Sequence, residues 1–100
     1  MINHVVLFKL KDFTSETEKQ EVLKEFRTKL LALKNQIKEV KYMEVGTHYV
    51  LNSPSYDLCL ISHFESIDDL EKYKVHPDHL VVVDFVKAVT VERAAVDFEF

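Results

Sequence analysis

The sequence predicts an α+β domain in which helices cover one face of an antiparallel sheet. Segments rich in β-branched and aromatic residues are typical of strands, and other segments repeat apolar residues at helical spacing. These segments follow one another in the order β-α-β-β-α-β. The 100 residues fit a single domain spanning 1–100, because one glycine and two prolines leave little room for linkers.

The first predicted strand is residues 4–10, HVVLFKL. Successive side chains of a strand point to opposite faces, so one face begins with a histidine and continues with apolar residues. That face carries His4, Val6, Phe8 and Leu10, and the other carries Val5, Leu7 and Lys9. Because both faces are mostly apolar, we expect this strand to be covered on both sides.

Residues 16–34 are predicted to form an amphipathic helix. Ser15 followed by Glu18 fits a capping box at its start. Apolar residues then recur at helical spacing: Val22, Leu23, Phe26, Leu30, Leu33 and Ile37. We expect the lysines and glutamates between them to face solvent.

Residues 39–51 and 56–64 are predicted to be the second and third strands, with a turn at the intervening NSPS segment. Such a short connection predicts an antiparallel hairpin. Alternation along the third strand separates Leu58, Leu60, Ser62 and Phe64 from Asp57, Cys59, Ile61 and His63.

A second helical region, broken in the middle, is predicted before the last strand. Ser66 with Asp69 is another capping-box candidate. Pro77 disfavours a helical conformation at His76 and suits the first turn of a new helix. Residues 94–100, AAVDFEF, are predicted to be the fourth strand. The complete order is that of the ferredoxin-like arrangement, an antiparallel sheet with helices on one face.

The sheet face turned away from the helices predicts a homodimer. It would carry the apolar residues Val5, Leu7, Cys59 and Ile61. A monomer rarely exposes so large an apolar patch, so we expect two sheets to pack face to face about a two-fold axis. Asp57 and His63, which alternation places on the same face, are expected near its rim.

Composition narrows the possible partners and compartment. A net charge of −4 argues against nucleic acid, which selects basic surfaces. No apolar run approaches the ~20 residues needed to cross a bilayer, and the N-terminal residues lack a signal-peptide pattern. Cys59 is the only cysteine, so a disulfide framework is excluded. We expect a cytoplasmic protein in which this thiol is structural.

Several segments together resemble a known family. HVVLFKLKD, YDLCLISHFESIDDLEKY, HPDHLVVVDF and VDFEF are similar to the stress-responsive dimeric A/B-barrel domain over nearly the whole chain. The most specific part is the pattern FES…L..Y..HP.H. The resemblance implies a ferredoxin-like protomer and a dimeric α+β barrel.

One plant member type of this family is a polyketide cyclase that closes a ring by aldol chemistry without metal or cofactor. Its reactive tyrosine and histidine match Tyr73 and His79, and a pocket histidine on its first strand matches His4. Where that cyclase has a further pocket histidine on the third strand, this chain has Leu58.

The residues themselves also predict a pocket between helices and sheet. Tyr73 shares a helix face with Leu70, His79 lies on the first turn after Pro77, and His4 faces the helices. A neutral imidazole can act as a general base, and a tyrosine hydroxyl can donate to an enolate oxygen. We therefore expect His79 and Tyr73 to be catalytic. The predicted substrate-binding residues are His4, Phe8, Leu23, Phe26, Leu58 and His76.

Other roles for these side chains stay open. Buried tyrosines and histidines are often hydrogen-bonded core residues, and His76 could simply cap the following helix. The His76-x-x-His79 spacing could hold a metal, but zinc sites usually need three or four protein ligands and no further cluster supplies them. His79 could also serve as the proximal ligand of a haem. We expect neither metal nor cofactor.

Two function classes remain. The first is a cofactor-independent cyclase, lyase or isomerase, in which His79 removes a proton, Tyr73 stabilises the enolate oxygen and His4 orients an apolar carbonyl or phenolic compound. The second is a non-enzymatic dimer, related to stress or to small-molecule binding. A cavity that reaches Tyr73 and His79 would favour the enzyme.

Overall fold

The computed structural model describes residues 1–50 and 53–100 and has the predicted order of elements. The elements are β1 (Ile2–Leu10), α1 (Glu16–Gln36), β2 (Tyr42–Thr47), β3 (Leu58–Phe64), α2 (Ile67–Val75), α3 (Pro77–Val89) and β4 (Thr90–Glu99). The second strand is shorter than predicted, and the fourth begins four residues earlier. The predicted strand end at Leu51 and the first turn residue, Asn52, lie outside the described residues.

The strands form one antiparallel sheet in the order β2-β3-β1-β4, which confirms the ferredoxin-like fold. β1 lies between β3 and β4, so its residues have partners on both sides. Val5 is paired with Ile61 on β3 and with Val96 on β4. The pairing of β2 with β3 confirms the predicted hairpin.

The helix starts follow the capping signals in the sequence. Ser15 Oγ accepts from the backbone N–H of Glu18 at 3.1 Å, and Ser66 Oγ accepts from that of Asp69 at 3.1 Å. The break between α2 and α3 lies at His76, which has the extended conformation favoured before a proline. Pro77 then occupies the first turn of α3, where its missing N–H is not needed.

The helices cover the sheet face predicted to be internal. This face carries buried residues from β1 and β3: Val6, Phe8, Leu10, Leu58, Leu60 and Phe64. The outer face is only partly covered, and Val96 and Phe98 on β4 are 56% and 44% exposed. Burial raises the pKa of the half-buried Cys59 thiol on this face, which keeps it protonated at neutral pH.

Two polar residues do not lie where the sequence pattern placed them. Asp57 precedes β3 and is buried, so its prediction at the rim of the outer face is wrong. Its Oδ1 lies 3.0 Å from Nζ of Lys19, and its Oδ2 accepts from the backbone N–H of Leu10 at 2.8 Å. Lys19 is likewise buried and does not face solvent. The alternation rule failed at Asp57 because the strand begins one residue later.

His63 lies on the outer face as predicted. Its ring stacks on Tyr42, with centroids 4.7 Å apart, and lies 4.6 Å from the ring of Phe100. Across residues 1–50 and 53–100, the helices are all too short or too polar to cross a membrane.

Candidate functional site

A cavity of about 460 Å³ lies between the helices and the inner face of the sheet. Its walls are mostly apolar and come from β1, β3, α1 and α3: Val6, Phe8, Leu30, Leu60, Val82 and Val86. His4, Tyr73 and His79 also line it, and so does Arg93 near the start of β4. An apolar cavity with a few convergent polar groups is the usual form of a small-molecule site.

Tyr73 is the most enclosed polar residue of the site. Its side chain is fully buried, and its hydroxyl has no hydrogen-bond partner within the described part of the chain. Its ring lies 4.3 Å from that of His79 and 6.4 Å from that of His4, measured between centroids. Burial raises the pKa of Tyr73 well above its ordinary value, so the hydroxyl keeps its proton and can donate it in a hydrogen bond.

His79 is held by the break between the two helices. Its Nδ1 lies 2.9 Å from the carbonyl oxygen of Lys74, near the end of α2. A carbonyl can only accept, so Nδ1 carries the proton and, in the neutral ring, Nε2 carries the lone pair. Burial is the main cause that lowers the pKa of His79, with the hydrogen bond to Lys74 acting in the opposite direction. The ring is therefore a neutral base at physiological pH.

His4 has a carboxylate partner that the sequence pattern did not reveal. Its Nδ1 contacts Oδ1 of Asp97, which is paired with His4 across β1 and β4. The carboxylate accepts from Nδ1, so Nε2 again carries the lone pair. Burial lowers the pKa of His4 and outweighs the opposing effect of Asp97. An acid in the otherwise mostly apolar VDFEF strand was the available signal, but its partner depends on strand register.

Only some of the predicted site residues line the cavity. His4, Phe8, Tyr73 and His79 line the cavity together. His76 instead caps α3, because its Nδ1 accepts from the backbone N–H of Asp78 at 3.1 Å. The other predicted binding residues, Leu23, Phe26 and Leu58, lie in the core and not along the cavity wall. Their predicted contact with substrate stays untested.

The described residues offer no ready metal site. Within 1–50 and 53–100, no three His, Cys, Asp or Glu side chains are close enough together to hold a metal ion. His76 and His79 use Nδ1 for the backbone contacts given above. The expectation of no metal and no haem stays a prediction for elemental analysis.

One family model matches almost the whole sequence. The model of the stress responsive A/B barrel domain matches residues 2–100. The chain belongs to this family. Among its relatives, a stress-response A/B barrel domain-containing protein of Arabidopsis thaliana is 30% identical over 99 residues, which are 98% of this chain and 36% of the plant protein. The family domain described here thus spans about a third of that relative.

Solved structures of similar proteins have the same ferredoxin-like fold. A dimeric protein of unknown function from Bacteroides fragilis is 32% identical, with a TM-score of 0.88 over 99% of this chain and 95% of that one. The hydroxynitrile lyase of Passiflora edulis is 16% identical, with a TM-score of 0.76 over 97% and 90% of the two chains. At that identity the lyase supports the fold alone.

Proposed function

We propose that this family member is a cofactor-independent enzyme that removes a proton next to the carbonyl group of a small, mostly apolar compound. The observation that carries the proposal is the pairing of Tyr73 and His79 in an apolar cavity. The tyrosine has a protonated hydroxyl without a partner in the described chain, and the histidine has a neutral ring with the lone pair on Nε2. A donor and a base are therefore adjacent in one cavity.

The proposed reaction begins with proton transfer. Nε2 of His79 takes a proton from the carbon next to the carbonyl, and the electron pair of that C–H bond forms a carbon–carbon double bond. The carbonyl oxygen gains the negative charge and accepts a hydrogen bond from the hydroxyl of Tyr73. The hydroxyl is available for this oxygen because no residue in the described chain uses it. Return of the proton at another carbon gives isomerisation, and attack on a second carbonyl gives cyclisation.

His4 and Asp97 are proposed to position the substrate. The Asp97 carboxylate fixes the His4 ring through Nδ1, which leaves Nε2 to accept a hydrogen bond from a hydroxyl group of the substrate. His4 lines the same cavity as Tyr73, so a compound bound in the cavity can contact both. Loss of Asp97 would free the ring to rotate, which should weaken binding more than it slows proton transfer.

The proposal is tested by hydrogen–deuterium exchange at carbon. Aryl and alkyl ketones are incubated with the protein in D2O, and NMR follows loss of the proton signal next to the carbonyl. The expected result is enzyme-dependent exchange for at least one ketone, abolished by His79→Gln and Tyr73→Phe. His48→Gln and Tyr49→Phe are matched controls outside the cavity. Exchange at the wild-type rate in His79→Gln would show that His79 is not the base.

A second candidate is a binding protein that holds the same kind of compound without changing it. The apolar cavity is also compatible with this candidate, since a passive ligand needs only the walls. Thermal-shift screening of carbonyl and phenolic compounds would then find a ligand, but no exchange at carbon would follow. Exchange that depends on His79 would rule this candidate out.

We also propose that the chain forms a homodimer through the outer face of its sheet. That face carries apolar side chains from three strands: Val5, Leu7, Ile61, Val96 and Phe98. Two of these, Val96 and Phe98, are more than a third exposed in the single chain. A related protein with 32% identity over nearly the whole chain is dimeric, which supports the proposal.

A further inference from the structure

Arg93 is a cavity residue that the proposed proton transfer does not use. It lies on β4 opposite Phe8, and both residues line the cavity. Arg93 has no ion-pair partner among residues 1–50 and 53–100. Its positive charge adds to burial, the larger cause, in lowering the pKa values of His4 and His79. The guanidinium is thus close enough to the two histidines to act on them electrostatically.

The strand register separates Arg93 from the histidine end of the cavity. His4 is paired with Asp97 and Phe8 with Arg93, so the backbones of the two pairs are four positions apart along the strand. Four residues correspond to about 13 Å along a strand. The side chains along this stretch are apolar, since Val6 is paired with Ala95 between the two ends. A compound that fills the cavity can therefore contact the histidines, the apolar wall beside Val6 and, at a further point, Arg93.

The other charged residues near this end do not neutralise Arg93. Lys87 is a second cation along the cavity, and Glu92 is the acidic residue among those that line it. Glu92 is paired with Lys9, whereas Arg93 is paired with Phe8. Adjacent residues of a strand project to opposite faces, so Glu92 is not expected to pair with Arg93, and the two form no ion pair in the described part of the structure. Asp97 is already engaged by His4 and lies 4.0 Å from Lys74.

We propose that the cavity selects compounds that carry a carboxylate as well as the carbonyl group, and that Arg93 is the residue that binds this carboxylate. A planar guanidinium can donate two parallel hydrogen bonds to a carboxylate, which suits a singly charged planar group at the end of an apolar molecule. The substrate class is thus an apolar oxo acid. That the compound carries a carbonyl group rests on the proposed function. Binding of its carboxylate by Arg93 does not depend on catalysis and can be measured separately.

The test compares one oxo acid with its uncharged ester. The probes are 5-oxo-5-phenylpentanoate, an aryl ketone with a carboxylate at the far end of a short chain, and its methyl ester. Dissociation constants are measured by NMR titration on wild-type protein and on Arg93→Gln. Arg93 is exposed to solvent, which weakens a charge pair, so the acid should bind wild-type protein about fivefold more tightly than the ester. That preference should disappear in Arg93→Gln.

Arg27→Gln is the matched control, because Arg27 is the other arginine of the chain and does not line this cavity. It should keep the preference for the acid. Arg93→Lys should keep part of it, since the charge remains but the paired hydrogen bonds do not. Equal binding of acid and ester to wild-type protein, a preference that survives Arg93→Gln, or binding of neither probe would overturn the proposal.

The same probes separate this inference from the proposed function. If the acid is preferred through Arg93 but no exchange occurs next to its ketone, the carboxylate site stands and the proton transfer fails. If the ester exchanges as fast as the acid and binds as tightly, the proton transfer stands and the carboxylate site fails. Binding and exchange measured on the same probes therefore show which of the two proposals fails.

Discussion

The ring of Tyr73 lies against the ring of His79, with centroids 4.3 Å apart, and joins two helices at one end of the cavity. The contact exists because α2 ends at Val75 and α3 begins at Pro77, so one residue separates the two helices that carry these side chains. The histidine uses Nδ1 for a backbone carbonyl, while the tyrosine hydroxyl has no partner in the described chain. This difference allows structural and catalytic roles to be separated by mutation.

Tyr73→Phe is expected to stabilise the protein slightly while abolishing exchange at carbon. A buried polar group without a hydrogen bond costs about 1–3 kcal/mol, so removal of the hydroxyl should leave the free energy of unfolding unchanged or raise it by about 1 kcal/mol. The proposed enolate would lose its donor. Urea unfolding and the D2O exchange assay measure the two effects. A loss of stability with unchanged exchange would indicate a structural hydroxyl.

The two cavity histidines predict that the protein becomes less stable below neutral pH. Burial lowers the pKa values of His4 and His79 from 6.5, so the unfolded chain binds protons before the folded one does. Their contribution to the free energy of unfolding is fully present above pH 6.5 and is lost as the pH falls through the folded-state pKa values. Urea unfolding at a series of pH values measures this loss.

The matched variants for this pH dependence are His79→Gln and His48→Gln. His79→Gln should flatten the dependence below pH 6.5, because one of the two shifted groups is gone. His48 does not line the cavity, and its replacement should leave the wild-type profile in place. An unchanged profile in both His79→Gln and His4→Gln would contradict the assignment of neutral rings.

The buried ion pair of Lys19 and Asp57 predicts a large effect of a single mutation. Asp57→Asn would leave the ammonium group of Lys19 buried without its 3.0 Å partner. Breaking a buried pair in this way should lower the free energy of unfolding by about 3 kcal/mol. The double variant with Lys19→Met should recover much of the loss, because the buried ammonium group is gone. Lys9, whose Nζ also lies 4.0 Å from Asp57, is less buried and keeps its hydrogen bonds to the carbonyl oxygens of Ser53 and Ser55. Equilibrium unfolding of the single and double variants measures the coupling.

The exposed pair of Lys29 and Glu25 provides the control for that cycle. Their charged atoms lie 3.5 Å apart on the surface of α1. Lys29→Met should change the free energy of unfolding by less than about 1 kcal/mol, because solvent screens the pair. A loss as large as that of Asp57→Asn would mean that burial is not the cause.

The proposed dimer predicts that a charge on the outer sheet face weakens association. Leu7→Lys or Ile61→Lys would bury an unpaired ammonium between the two sheets, which should shift the protein towards monomers and lower its stability. Sedimentation at micromolar concentration measures the shift. Val81→Lys is the control, since Val81 is 69% exposed on α3 and away from the sheet. A wild-type protein that sediments as a monomer would contradict the dimer.

Much of the candidate site could be predicted because its parts depend on local sequence. His4 lies two and four positions before Val6 and Phe8, so all three side chains share one face of the strand. The position of His4 on the inner face therefore follows from strand geometry alone. Pro77 determines where α3 begins, so the first-turn position of His79 is also a local property. The structure brings these residues and Tyr73 to one cavity.

Asp97 and Arg93 could not be assigned in the same way. Both lie on β4, and their roles depend on the register that pairs them with His4 and Phe8. A shift of one residue would turn both side chains to the outer face. Arg93 was also missed because the strand begins at Thr90, where β4 follows α3 directly.

By itself, the sequence determined the α+β class, the order of the elements, the helix starts and the inner faces of β1 and β3. These features depend on side-chain alternation, capping residues and proline, which act over a few positions. Only the tertiary structure decided that Lys19 and Asp57 are buried together, that Asp97 orients His4, and that Arg93 lines the cavity. Those contacts join residues far apart in the chain, and their energies depend on strand register and burial, which no local pattern specifies.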